Sequence, residues 1–145
     1  MYYEKEAMII RGRALFHYFK FLIELLTLGL RLLPRGFSIS LWTISDIFPG
    51  LIGSGIRYCI AKRMAKQCGE SVYWGPNIEV RSWQYISIGN NVSINRGCYL
   101  DATGGLEIGN NVSIAHHTSI LTSEHTWQDI HIPIRDNPVV LNRVV

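Results

Sequence analysis

Ile88-Gly89-Asn90-Asn91-Val92-Ser93-Ile94-Asn95 returns, 20 residues later, as Ile108-Gly109-Asn110-Asn111-Val112-Ser113-Ile114-Ala115, with seven of eight positions identical. Around this pair an aliphatic residue recurs every six positions: Ile88, Ile94, Leu100 and Leu106, then Ile108, Ile114 and Ile120. The register jumps by two between Leu106 and Ile108, and Val72 and Ile78 keep the same step upstream. The fifth position is usually small, as at Ser82, Val92, Cys98, Gly104, Val112 and Thr118. A period of six keeps no single face on a helix of 3.6 residues per turn. It suits short strands separated by tight turns. Three such sides make one triangular coil of about 18 residues, with the aliphatics stacked along its axis. The offset of 20 is then one coil plus a two-residue bulge. Asn90-Asn91 and Asn110-Asn111 occupy turn positions, where asparagine tolerates left-handed backbone.

Upstream the pattern changes. Residues 6–33 read as one long helix whose polar residues Glu6, Arg13, His17, Lys20, Glu24, Thr27 and Arg31 share a narrow stripe, with Arg11 opposite. Leu15, Phe19, Leu22, Leu26, Leu30 and Leu33 help cover the wide remainder. That face calls for another element, a partner subunit or a membrane surface, and peripheral contact with anionic lipid is the expected use. Pro34 and Gly36 are expected to stop this helix. Residues 36–56 are apolar with one charge, Asp46, and a second helix is expected from Leu51 to Gln67, stopped by Gly69. Charges within 15–33, and Asp46, Pro49 and four glycines within 36–56, argue against a transmembrane span. The chain thus divides into an amphipathic helical segment, 1–70, with ten Lys/Arg against five Asp/Glu, and a repeat domain, 71–145, with four against six.

The 145 residues fit one ordinary domain, and 48% hydrophobic against 17% charged residues excludes a disordered chain. A net charge of +3 demands no nucleic-acid partner. Three cysteines, Cys59, Cys68 and Cys98, form no CxxC pair, which fits small buried thiols in a reducing, cytoplasmic compartment. His116, His117, His125 and His131 are spaced by 1, 8 and 6, which is not a zinc-ligand pattern, so no metal is expected. P-loop, dinucleotide and GxSxG fingerprints are absent.

From Ile86 onward the hexapeptides resemble those of the left-handed β-helix acyltransferases, within them the sugar and polysaccharide O-acetyltransferases related to maltose, galactoside and nodulation-factor acetyltransferases. The likeness is carried by Asn95-Arg-Gly-Cys-Tyr-Leu-Asp101, by the second octapeptide, and by Leu121-Thr-Ser-Glu-His-Thr-Trp127. It implies a mainly β chain: a left-handed parallel β-helix behind an α-helical N-terminal segment. It also implies acetyl-CoA as co-substrate, a sugar hydroxyl of a polysaccharide or glycolipid precursor as acceptor, a homotrimer, and attack without a covalent intermediate. His125 is the implied general base. Asn95, Asp101 and Trp127 are the implied substrate-binding residues, with turn capping the alternative for Asp101 and packing that for Trp127. Glu124 is not expected to orient the imidazole, because strand neighbours face opposite ways. Members of the family usually continue for several coils past the histidine, whereas only 20 residues follow His125. A C-terminally truncated and inactive relative is therefore also expected. The rival reading is a non-enzymatic oligomerisation or membrane-docking protein built on a short β-helix.

Overall fold

The computed structural model describes residues 18–145. Helix α1 spans Lys20–Arg31, α2 spans Arg35–Ile44, and α3 spans Gly50–Met64, with a 3₁₀ turn at Ser45–Ile47 before α3. Nine short strands follow: β1 (Gln67–Cys68), β2 (Tyr73–Trp74), β3 (Glu79–Arg81), β4 (Ile86–Ile88), β5 (Ser93–Ile94), β6 (Tyr99–Asp101), β7 (Leu106–Ile108), β8 (Ser113–Ile114) and β9 (Ser119–Leu121). A terminal pair, β10 (Ser123–His125) and β11 (Val139–Leu141), brackets a 3₁₀ turn at Ile134–Asp136. Among the described residues the class is mixed α/β, three helices followed by parallel strand sheets.

The strands sort into three parallel sheets ordered β1-β4-β7, β2-β5-β8 and β3-β6-β9. Each sheet therefore takes one strand from each successive pass of the chain. The register offset is 20 throughout: Gln67 pairs with Ser87, Ser87 with Glu107, Tyr73 with Ser93, and Ser93 with Ser113. Six residues lead from Gln67 to Tyr73, six from Tyr73 to Glu79, and eight from Glu79 to Ser87. The two-residue bulge thus falls at the third corner of every pass. Ile88, Ile94, Leu100 and Leu106 are buried, as are Ile108 and Ile114, while Ile120 in the last pass is half-buried.

Two corners are built on left-handed residues. Ser71, Asn91 and Asn111 form one column at φ of 55°, 58° and 60°, and Asn77, Gly97 and His117 form the other at 55°, 71° and 57°. Asparagine suits the first column twice over. Asn90 Oδ1 accepts the Glu70 N–H at 2.8 Å, and Asn110 Oδ1 accepts the Asn90 N–H at 2.7 Å. Each pass so satisfies the corner of the one before it.

The helices depart from the sequence expectations in four ways. The described part of the long helix ends at Arg31, and residues 6–17 lie outside the described residues. Pro34 does break the chain there, but Gly36 lies inside α2, because Pro34 supplies its extended N-cap at φ −56° and ψ 146°. The next helix ends at Met64 rather than Gln67, since Ala65 turns extended and the following backbone is captured by the strands, Lys66 N–H donating to Ile86 O at 3.0 Å. Gly69 is no helix stop. It lies on the first corner, where a Cβ would meet Gly89 O at 2.4 Å. The first strand, β1, accordingly precedes residue 71.

Helix α3 lies on β1 and β2 and carries α1 and α2 on its outer side. A tryptophan cluster joins the two halves. Trp42 of α2 packs edge-on against Trp74 of β2 and Trp83 at centroid distances of 5.3 and 4.8 Å, and donates its indole N–H to Ile78 O at 2.7 Å. Arg57 of α3 is buried beside it. Its guanidinium donates to Trp74 O at 3.0 Å and Ser45 O at 2.9 Å and stands 3.5 Å from Asp46. Burial pulls the guanidinium pKa below its ordinary value, opposed by the Asp46 charge. Helical segment and strands therefore share one core.

Candidate active site

His125 ends β10, the first strand to leave the three-sheet pattern. Strand β10 runs antiparallel to β11, with Ser123, Glu124 and His125 opposite Leu141, Val140 and Val139. The side chain is exposed. Its Nδ1 lies 3.1 Å from the Asn137 carbonyl oxygen. A carbonyl can only accept, so this contact assigns the proton of the neutral ring to Nδ1 and leaves Nε2 with its lone pair. Asn137, not Glu124, is the orienting residue, in keeping with the opposite faces of strand neighbours.

Asn137 is buried and holds the whole loop between β10 and β11. Its side-chain oxygen accepts the Asp129 N–H at 3.1 Å, and its amide donates to Asp129 O and Pro133 O at 3.1 and 3.3 Å. Sequence reasoning missed it. The one signal was an asparagine before Pro138 in a loop otherwise rich in exposed aliphatics, and that does not announce a buried amide.

Asp101 is only 4% exposed at the end of β6. Its Oδ1 accepts the Thr103 N–H at 2.9 Å and the Thr103 hydroxyl, and its Oδ2 accepts the Ser123 hydroxyl at 2.8 Å. Burial alone would raise its pKa. The bonds from Thr103 and Ser123, with the Arg81 charge, outweigh burial and hold the carboxyl below its ordinary value. Thr122 completes the joint, its hydroxyl donating to Asp101 O at 2.8 Å and accepting the Gly104 N–H at 2.7 Å. Asp101 thus caps the third corner and tethers the strand that carries His125.

Asn95 lies in the same pass, one corner before this joint. Its amide donates to Ile114 O at 2.7 Å, an interaction between successive passes rather than with His125. Trp127 is two residues beyond His125 and 73% exposed, which leaves its ring face available to a ligand. The structure therefore gathers Asp101, Ser123 and the His125 strand, and places Asn95 on the neighbouring corner. His116 and His117 are exposed and meet edge to face at 5.6 Å, with His117 stacked over Gly97. Among the described residues no group of three or more His, Cys, Asp or Glu side chains is placed to hold a metal ion. All three cysteines are free thiols; burial raises Cys59 and pushes Cys68 up to about 12.

No family model, curated protein or solved structure matches this chain.

A cavity of about 420 Å³ lies away from His125. It is lined by α2 residues Ile39, Trp42 and Thr43 together with Asn77, Glu79 and Trp83. The histidine instead stands on open surface.

Proposed function

We propose that the chain is an O-acetyltransferase domain in which the three sheets close into a left-handed β-helix and His125 Nε2 is the general base. Acetyl-CoA is the donor, and the acceptor is a sugar hydroxyl of a polysaccharide or glycolipid precursor. The observation that carries this reading is the Nδ1 contact to Asn137 O, which leaves Nε2 free and exposed. The 20-residue register and the likeness of the Ser-Glu-His-Thr-Trp segment support the same assignment.

The acceptor O–H gives its proton to Nε2 as its oxygen bonds to the thioester carbonyl carbon. The carbonyl electron pair moves to oxygen. When it returns, the carbon–sulfur bond breaks, and the thiolate takes the proton back from the imidazolium. Proton removal by a positioned imidazole contributes ~10²–10⁴ in rate. Asp101 acts as a positioning residue through Ser123, Asn95 contacts the acceptor, and Trp127 stacks on the sugar ring. The exposed setting of His125 fits a donor groove completed by neighbouring copies of a trimer. His125→Ala is expected to lower kcat by ~10²–10⁴ while CoA affinity, read by calorimetry, stays within about twofold. An active His125→Ala variant would overturn the assignment, and a folded wild-type chain that binds no CoA would favour the non-enzymatic reading.

A further inference from the structure

Helices α1 and α2 are inside out. On α1 the residues turned toward the protein are Ile23 and Thr27, with Leu30 partly covered, at spacings of four and three. Thr27 belongs to the polar stripe, yet it is 4% exposed and returns its hydroxyl to Ile23 O at 2.7 Å. Lys20, on the same stripe, reaches back to Glu70 at the first corner at 2.8 Å. The broad apolar face points outward: Phe21 is 79% exposed, Leu28 58% and Leu32 85%. On α2, Ser38 and Trp42 face the protein, while Phe37 and Ile39 are exposed. The connection to α3 and the first turn of α3 continue the pattern with Ile47, 77% exposed, and Ile52, 71%. A water-soluble surface helix shows the opposite arrangement.

Charge selects among the possible coverings. Residues 18–66 hold seven Lys/Arg against two Asp/Glu; with Arg57 buried on Asp46 and Lys20 paired to Glu70, five cations remain against Glu24. Arg31 and Arg35 flank the α1–α2 turn and are exposed, next to Leu32 and Leu33. Apolar side chains beside exposed guanidinium groups match the boundary between acyl chains and anionic headgroups. Among the described residues no helix is long and apolar enough to cross a membrane. We infer that α1, α2 and the α2–α3 connection form an interfacial anchor that lies in one leaflet of an anionic lipid bilayer. This inference stands independently of acetyl transfer.

The test is flotation of the full chain through a density gradient with two vesicle types, phosphatidylcholine alone and phosphatidylcholine mixed with phosphatidylglycerol. The wild-type chain is expected to rise with the mixed vesicles and much less with the neutral ones. The triple variant Phe21→Ser, Leu28→Ser, Leu32→Ser changes only exposed side chains and is expected to lose flotation by about tenfold or more while keeping its circular dichroism. Arg31→Glu with Arg35→Glu is expected to abolish the preference for the mixed vesicles. A folded wild-type chain that stays at the bottom with both vesicle types overturns the inference. Its state by analytical ultracentrifugation then tells whether a second copy covers the face, and deletion of residues 1–17 whether that segment does. Equal flotation with both vesicle types overturns the anionic assignment.

Discussion

Asp101 is the residue on which the candidate site mechanically depends. It holds Thr103 on its own corner and Ser123 on the strand of His125, with both oxygens engaged. Asp101→Ala is expected to cost about 2 kcal/mol in urea unfolding, because charge-assisted bonds from half-buried Thr103 and Ser123 are lost, although the Thr103 hydroxyl keeps Ser82 as a partner. The pH dependence has a definite sign. The folded carboxyl lies below its ordinary value, so its stabilisation is complete above the unfolded pKa of about 3.9 and is lost as pH falls through the folded one. The stability difference between wild type and Asp101→Asn should therefore be constant above about pH 5 and shrink below about pH 4. A difference that stays flat into acid would show that the carboxylate charge does not matter. Both roles of Asp101, acceptor contact and turn cap, were open in the sequence. The cap bonds became visible only in the structure, because Thr103 is a neighbour in sequence but Ser123 is 22 positions away.

At the scale of the element, the corners set what each strand tolerates. Gly89 and Gly109 occupy equivalent positions of the two octapeptides. A Cβ on Gly89 would lie 2.5 Å from Asn110 Oδ1 and 2.8 Å from the Gly109 carbonyl carbon, whereas a Cβ on Gly109 meets nothing within 4 Å. Gly89→Ala is expected to cost about 2–3 kcal/mol through forced movement of the next corner. Gly109→Ala should stay within about 0.5 kcal/mol of wild type in the same denaturation assay. Equal effects would contradict the stacking of one corner on the next. The repeat and its bulge were legible before any coordinates, since Ile88 and Ile108 announce a 20-residue return. The helix limits were less so. Gly69 reads as a helix stop in isolation, but strand pairing ends the helix earlier and uses the glycine for close approach to Gly89.

At the scale of the whole molecule, the helical segment and the strand array are joined by Arg57 and the tryptophans. Arg57 serves Trp74 on β2, Ser45 before α3 and the Asp46 carboxylate at once. Arg57→Ala leaves buried carbonyls without donors and is expected to cost about 3 kcal/mol or more. It should also separate the unfolding of the helices, followed by circular dichroism, from that of the Trp42–Trp74–Trp83 cluster, followed by fluorescence. A single coincident transition in the variant would mean that the apolar contacts of α3 suffice to couple the halves.

The sequence by itself determined the strand period, the 20-residue return with its two extra residues, and the asparagine corners. These are local consequences of where aliphatic side chains and left-handed residues recur, so they can be read along the chain. It set the two extra residues between Leu106 and Ile108, which both lie in β7, whereas the structure puts them at the corner before Leu106. The tertiary structure alone decided which face of α1 is buried, that Asn137 orients His125, and that Asp101 tethers Ser123. Each depends on groups brought together from distant segments. The physical reason is clearest in Thr27: on an isolated helix it belongs to the polar face, but a small hydroxyl that satisfies itself on Ile23 O lets α1 pack closely on α3 and turns the leucines outward.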